Sequence, residues 1–241
     1  MATRQSTKNH LTLTWFGHSA FHVETVAGKS ILIDPWLDNP KAPAGAKDIN
    51  TVDLILLTHG HCDHIGNTID VARRTGAKVI AIHEVALYLK AAGVAGSTGM
   101  NKGGTIAVDG ISVTMTDAKH SSDIDVNPKL ECGGEAAGFI LTLEDGYTLY
   151  HAGDTALFGD MRLIGELYAP SLVLLPIGDL YTMGPREAAY ACKLLKPKTI
   201  IGMHYGTYPV LAGTPTELKK HLSKELKNRV LELTVGTPVT L

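Results

Sequence analysis

Four strong ligand groups stand close together in the run "LTHGHCDHIG" of residues 57–66, namely His59, His61, Asp63 and His64. Neutral imidazoles and carboxylates are the ligands that zinc and other borderline divalent metals accept. His59 and His61 are two residues apart, so in an extended turn their side chains can point to the same side. Asp63 and His64 continue into a helix start, where they could face a second ion. The pattern therefore predicts a turn that offers ligands to two metal ions.

The turn follows a run whose pattern is typical of a buried strand. "DLILLT" at 53–58 is continuously apolar, as strands covered on both faces are. A helical pattern follows over 64–76 and ends at a glycine. The ligand groups would thus stand at the exit of a strand, directly before a helix.

The rest of the chain repeats this alternation of strands and helices. Further strands are predicted over 11–16, 20–25, 30–34, 78–82, 111–118, 138–143, 147–151, 172–177, 199–203 and 230–234. Further helices are predicted over 83–93, 184–197 and 214–228, and a glycine-rich loop over 93–104. Each half reads as antiparallel strands followed by strand–helix units. Two sheets with helices outside them predict an α/β protein, a four-layer α/β/β/α sandwich forming a single domain over 1–241.

Composition limits the classes of partner. The 241 residues are 44% hydrophobic, and the net charge of −2 comes from charges of mixed sign. Such a charge gives no basic surface for nucleic acid, so a small-molecule substrate is expected instead. Three scattered cysteines predict no disulfide framework. No signal segment or membrane span is recognisable, and the cytoplasm is the expected location.

The turn "HGHCDH" resembles the hallmark of the metallo-β-lactamase superfamily of metal-dependent hydrolases. The family's later ligands are a His, an Asp and a His, each after a later strand. "DAKHSSD", "YHAGDT" and "IGMHYGTYP" place His120, Asp154 and His204 in that order. A finer resemblance, to the branch of the L-ascorbate-6-phosphate lactonases and N-acylphosphatidylethanolamine phospholipase D, is carried by "WFGHSAF" at 15–21, "ILIDPWLDNP" at 31–40 and "LPIGDLYTMGPREA" at 175–188.

The resemblance implies a metallo-β-lactamase sandwich with a dinuclear metal site. The first ion would be held by His59, His61 and His120, the second by Asp63, His64 and His204, and Asp154 would bridge both. Zinc is expected first and manganese second, because the same ligands accept both. A hydroxide shared by the ions would attack a small ester, lactone or phosphodiester. Asp63 would be the catalytic residue that orients the hydroxide and takes its proton.

Other polar side chains are candidates for a supporting role. Asp34 is expected either to accept a hydrogen bond from a ligand imidazole or to serve the turn before Pro35. His18 could reach the mouth of the site or hold a tight turn. The substrate wall, or alternatively packing, is the expectation for Asp179, Tyr181, Tyr205 and Tyr208.

Two further functions stay open from the sequence. One is a metal-dependent nuclease or cyclic-nucleotide phosphodiesterase, although the chain has no room for an added arm that would hold a long nucleic acid. The other is a metal-binding sensor without turnover, against which the complete ligand set argues. Homo-oligomerisation is plausible from the resemblance alone.

Overall fold

Two β-sheets form the centre of the computed structural model, which describes residues 9–126 and 129–241. The first sheet contains β1 (Leu11–Trp15), β2 (Phe21–Thr25), β3 (Ser30–Ile33), β4 (Leu54–Leu56), β5 (Lys78–Ile82), β6 (Ser97–Met100) and β13 (Val239–Thr240). Its strands lie in the order β13-β1-β2-β3-β4-β5-β6. Pairing is antiparallel from β13 to β3 and parallel from β3 to β6.

The second sheet repeats the same change from antiparallel to parallel pairing. It contains β7 (Thr105–Val108), β8 (Ile111–Asp117), β9 (Ala137–Thr142), β10 (Thr148–His151), β11 (Leu172–Pro176) and β12 (Thr199–Met203). The order is β12-β11-β10-β9-β8-β7, with parallel pairs only among β10, β11 and β12. The carboxyl ends of the parallel strands of one sheet lie at one edge, where loops can carry ligands.

Helices connect the strands, and the longer ones pack on the sheets. They are α1 (Cys62–Ile65), α2 (Thr68–Thr75), α3 (His83–Ala91), α4 (Met161–Tyr168), α5 (Pro185–Leu195), α6 (Pro215–His221) and α7 (Lys224–Lys227). Helix α3 packs on β5 and β6 of the first sheet, whereas α5 contacts both α4 and α6 on the second sheet. The predicted four-layer α/β/β/α sandwich of the metallo-β-lactamase type is confirmed. The predicted boundaries 1–241 include residues 1–8 and 127–128, which lie outside the described residues.

The core alternates along β11, as the two-residue period of a strand requires. Leu172 and Leu174 join the cluster that fills the space between the sheets. Val173 and Leu175 join a second cluster beneath α4, α5 and α6. This strand is buried on both faces, which explains why its sequence is apolar at every position.

Two predicted elements are interrupted by a residue that leaves helical conformation. The helix predicted over 64–76 is broken at Gly66, whose φ of 40° ends α1 before α2 begins. A Cβ at this position would lie 2.5 Å from the Cα of Trp36, so the chain there approaches too closely for any side chain. The helix predicted over 214–228 ends at Leu222, which is extended, and resumes as α7.

Two further predictions differ from the structure. The stretch 93–104, predicted as a loop, contains β6, which pairs with β5. The strand predicted over 230–234 is reduced to one bridge between Val230 and Ile200, and β13 forms the last paired segment instead. Among the described residues, none of the helices is both long and apolar enough to span a bilayer.

Candidate metal centre

The turn that carries the first ligands is tied to the end of β3 through Thr58 and Asp34. The Thr58 backbone N–H donates to Asp34 Oδ1 at 2.9 Å, and its hydroxyl donates to Oδ2 at 2.7 Å. The Thr58 oxygen therefore accepts from His59 Nδ1–H, which lies 3.0 Å away. This arrangement leaves the lone pair of His59 on Nε2, on the side of His61, whose Nδ1 lies 2.9 Å away.

Asp34 orients a second imidazole in the same way. His64 Nδ1–H donates to Asp34 Oδ2 at 2.7 Å, and both side chains are fully buried. This bond directs His64 Nε2 toward Asp154, whose Oδ2 lies 3.3 Å away. Asp34 itself has a φ of 46°, a left-handed conformation that is uncommon outside glycine. The prediction that Asp34 accepts from a ligand imidazole fits this geometry, and the residue also serves the turn.

The residues after the later strands meet the turn at the edge where the two sheets face each other. His120 follows β8, Asp154 follows β10 and His204 follows β12 directly. Asp154 Oδ2 lies 2.8 Å from His204 Nε2 and 3.8 Å from His120 Nε2. A single carboxylate thus approaches imidazoles from both halves of the chain.

Three overlapping groups of ligand atoms result, each with all its atoms within 4.8 Å of one another. The first group is His59, His61 and His120, and the second is Asp63, His64 and His204 together with His18. His59, His64 and Asp154 form a third group that overlaps both. The structure therefore brings all seven predicted metal ligands together in one cluster.

His18 adds an imidazole to the second group. Its Nε2 lies 3.0 Å from Asp63 Oδ2, and its Nδ1 lies 3.0 Å from Thr207 Oγ1. Burial lowers the pKa of His18 to about 4, so the ring is neutral at physiological pH. A neutral ring that donates to Asp63 must accept the hydroxyl proton of Thr207. His18 is a turn residue that also reaches the site, as one of the two sequence expectations has it.

The buried charged groups in the site shift one another's pKa values. Burial would lower the pKa of His64, yet Asp154, Asp34 and Asp63 together hold it well above its ordinary value. Burial would raise the pKa of Asp154, but His204 and His64 keep it well below the usual range. Asp63 also has a lowered pKa, because His64 and the hydrogen bond from His18 outweigh its burial. In the chain without metal, the negative charges of these carboxylates and the positive charge of the protonated His64 imidazole stabilise each other.

Several buried polar atoms fit a missing cation. Within residues 9–126 and 129–241, His64 Nε2, Asp154 Oδ1 and His204 Nδ1 are buried and lack a hydrogen-bond partner. Native proteins pair nearly all such atoms, and an ion that binds at the site is one established reason for an exception. All three atoms belong to predicted metal ligands. The donor set, imidazoles with carboxylates, is also what zinc and manganese accept.

A cavity of about 390 Å³ opens over this cluster. Besides proposed ligands it is lined by Cys62, Ser121, Asp125, Tyr181 and Tyr208. The side chains of Tyr181 and Tyr208 are 60% and 41% exposed, so they form an open aromatic wall. Among the described residues no lysine or arginine lines the cavity. Tyr208 also contacts the indole of Trp36, with 6.1 Å between ring centroids.

Two residues predicted for the substrate wall lie elsewhere. Tyr205 packs its ring on Trp15 at 5.2 Å and borders the core, which is the packing alternative. Asp179, whose backbone is left-handed with a φ of 67°, lines a separate depression beside Gly184 and Pro185. The sequence did not single out Asp125 or Thr207, because no local pattern marks them. Ser121, which follows His120 in "DAKHSSD", also lines the cavity.

Comparison with known proteins agrees with this geometry. The family described as beta-lactamase superfamily domain matches residues 29–205. A UPF0173 metal-dependent hydrolase from Methanosarcina barkeri is 50% identical over 230 residues, 95% of this chain and 98% of that protein. Another from Koribacter versatilis is 50% identical over 211 residues, 87% of this chain and 91% of the other.

A solved structure extends the comparison to the fold. Igni18, a metallo hydrolase from the archaeon Ignicoccus hospitalis, is 41% identical and superimposes with a TM-score of 0.85. The match covers 96% of this chain and 98% of Igni18. With the family match, the relatives and the ligand cluster in agreement, the chain belongs to the metallo-β-lactamase superfamily and is a metal-dependent hydrolase.

Proposed function

We propose that the protein is a dinuclear metal-dependent hydrolase of a small ester, lactone or phosphodiester. The observation that carries this proposal is the position of Asp154. It lies within 4 Å of imidazoles from both ligand groups, and its Oδ1 is buried without a hydrogen-bond partner among the described residues. A carboxylate in that place can give one oxygen to each of two ions.

The proposed ligands are those of the sequence resemblance. His59, His61 and His120 would hold the first ion, Asp63, His64 and His204 the second, and Asp154 would bridge them. When bound, two divalent ions that share a water lower its pKa toward neutrality, which supplies a bridging hydroxide, and they stabilise the oxyanion that develops. Zinc is proposed first and manganese second.

The protein's own groups complete the chemistry. Asp63 would orient the hydroxide and take its proton, and its Oδ2 also accepts from His18. Asp34 keeps the lone pairs of His59 and His64 directed into the site through the bonds described above. Tyr181 and Tyr208 would bind the organic part of the substrate and shield it from water on one side.

The lining favours a neutral ester or lactone over a phosphodiester. Asp125 adds a carboxylate at the cavity, where no described lysine or arginine would attract a second negative charge. Lys102 and Lys119 line an adjoining depression that shares His120, but both ammonium groups pair with Asp117, at 2.6 and 2.5 Å. This pairing weakens the alternative of a nuclease or cyclic-nucleotide phosphodiesterase. A small-molecule substrate in the cytoplasm remains part of the proposal.

The test is metal analysis followed by a substrate screen. The purified protein, stripped of metal and reloaded with zinc or manganese, should contain two ions per chain by elemental analysis. Lactones, aryl esters and phosphodiesters are then compared with and without metal, beside a metal-loaded Asp63→Asn variant as the inactive control. Saturation at one ion would overturn the dinuclear site. Two bound ions without turnover of any class would favour a metal-binding sensor.

A further inference from the structure

His18 connects two proposed ligands that come from different sheets. Its ring donates from Nε2 to Asp63 Oδ2 at 3.0 Å, and its carbonyl oxygen accepts from the His204 backbone N–H, also at 3.0 Å. Asp63 belongs to the turn after β4 of the first sheet, and His204 follows β12 of the second. One residue of the β1–β2 turn therefore contacts both sides of the second ligand group.

Neighbouring rings and its own backbone restrain the ring of His18. Trp36 meets it edge-on at 5.2 Å between centroids, and the His204 ring lies 3.9 Å away. The backbone has a φ of 51°, and its carbonyl also accepts from Trp15 Nε1 at 2.9 Å. A left-handed conformation persists at a non-glycine residue only where the surroundings enforce it, and it occurs often at functional sites. A turn alone would be served equally well by glycine.

The hydrogen bonds of His18 determine which oxygen of Asp63 is free. An ionised carboxylate can only accept, so Nε2 donates in this pair. On the other side of the ring, Nδ1 is hydrogen-bonded to the hydroxyl of Thr207, which is buried. Asp63 Oδ2 is thereby occupied, while Oδ1 lies on the side of the ligand group, 3.9 Å from His64 Nε2.

We infer that His18, fixed by Thr207, is a positioning residue that holds Asp63 as a one-oxygen ligand of the second metal ion. The inference rests on the dinuclear site proposed above. His18 acts on that ion through Asp63, so its loss should weaken the second metal position and spare the first, whose imidazoles it does not contact. Residues that orient metal ligands typically contribute about 10- to 100-fold to metal affinity.

The test is titration of cobalt(II) into the metal-free protein, followed by calorimetry and by the visible absorption of the bound ion. The unmodified protein must first show two binding events. If it shows only one, the dinuclear proposal itself has failed, whatever His18 does. In His18→Leu the second affinity should fall about 10- to 100-fold and the first should stay within about threefold. His18→Gln, whose amide N–H can replace Nε2–H, should recover most of the loss.

Substitution of Thr207 gives a second test, which leaves the imidazole of His18 in place. Thr207→Val removes the hydroxyl without changing the shape and should weaken the second position, whereas Thr207→Ser should restore it. These variants carry the test if His18→Leu fails to fold. His22→Gln is the matched control, since His22 bonds to Ser30 on the neighbouring strands and should leave both affinities unchanged.

Two results would overturn the inference. If the second affinity is unchanged in both His18→Leu and Thr207→Val, His18 does not position Asp63. If the second ion is lost equally in His18→Leu and His18→Gln, the imidazole binds the ion directly. The cobalt spectrum would then change in the same way in both variants.

Discussion

Asp154 is the residue on which the division of the site depends. Its Oδ2 lies 2.8 Å from His204 and 3.3 Å from His64, two imidazoles of the second group, and 3.8 Å from His120 of the first group. As a bridge it would offset the repulsion between two cations held close together. As an ordinary turn residue it would affect only the free energy of unfolding.

Asp154→Ala should therefore weaken the second metal position more than the first, because His59, His61 and His120 still form a three-imidazole site of the mononuclear zinc type. Metal titration into the metal-free variant measures both affinities. Asp160→Ala, at the start of α4 and without a side-chain capping bond, is the control. Unchanged two-site binding in the Asp154 variant would exclude the bridging assignment.

Asp63 has a different proposed role from Asp154. Asp63→Asn keeps the size of the side chain but removes the group that would accept a proton. At saturating metal we expect kcat to fall about 100-fold or more, the usual size of an acid–base contribution. The melting temperature should stay close to that of the unmodified protein. A metal-loaded variant with near-normal kcat would show that another group activates the nucleophile.

His64 links metal binding to pH. Its pKa is raised well above the ordinary value by three carboxylates, so the metal-free chain holds a proton there at neutral pH. A metal ion needs the lone pair that this proton occupies, and binding must release it. Asp63 and Asp154 have lowered pKa values and remain ionised, so they add no competing proton in this range.

The affinity of the second ion should accordingly fall as pH falls, by about tenfold per pH unit when one proton is displaced. Calorimetry between about pH 6 and pH 8 in buffers of different ionisation enthalpy measures the protons released per ion. An affinity that does not change with pH would mean that His64 is already neutral in the metal-free protein.

At the scale of elements, Asp34 joins the end of β3 to the metal turn after β4. It accepts from Thr58 twice and from His64 once, and none of these groups reaches solvent. Asp34→Ala would leave buried donors without a partner, each of which costs about 1–3 kcal/mol. We expect a loss of about 2 kcal/mol or more in the free energy of unfolding of the metal-free protein.

Denaturant unfolding measures this loss, and Asp48→Ala, on an exposed 3₁₀ turn, serves as the comparison. Metal affinity should fall as well, because His59 and His64 lose the bonds that orient them. If stability and affinity both stay near normal, the turn is held by other contacts.

Some of the strands could be predicted from sequence patterns alone. Continuous apolar runs identified β4 and β11, since a strand buried on both faces has no polar position. The break at Gly66 could not be predicted, because it depends on how closely the chain passes Trp36, a contact between distant residues. β6 was missed for a similar reason: "STGM" has little strand preference of its own and becomes a strand by pairing with β5.

Part of the site could likewise be predicted from the local sequence, whereas another part depends on contacts between distant residues. The residues after β4, β8, β10 and β12 could be predicted, because ligands follow strand ends and the family pattern gives their types. The contact of His18 with Asp63 joins residues 45 positions apart in the chain, and no spacing indicates it. Asp125 reaches the cavity through a loop, where its Oδ1 accepts from the Cys62 backbone N–H.

At the scale of the whole molecule, the proposed metal ions would join the two sheets. The turn after β4 would supply ligands from the first sheet, and the residues after β8, β10 and β12 would supply theirs from the second. Without metal, the second group leaves buried polar atoms unpaired where the sheets meet. Because the ligand set is assembled only in the folded chain, an ion that binds it stabilises that state alone.

Removal of metal should therefore lower the thermal stability of the entire protein. An ion present at about 100 times its Kd adds about 2.7 kcal/mol, which for a chain of this size corresponds to about 5–10 °C in Tm. Calorimetric melting before and after chelation, with metal content checked by elemental analysis, measures the difference. Zinc added back to the stripped protein should restore Tm, and restore it less in Asp154→Ala. If chelation removes the ions but leaves Tm unchanged, the ions do not connect the sheets, and the folded chain holds its ligand cluster together without them.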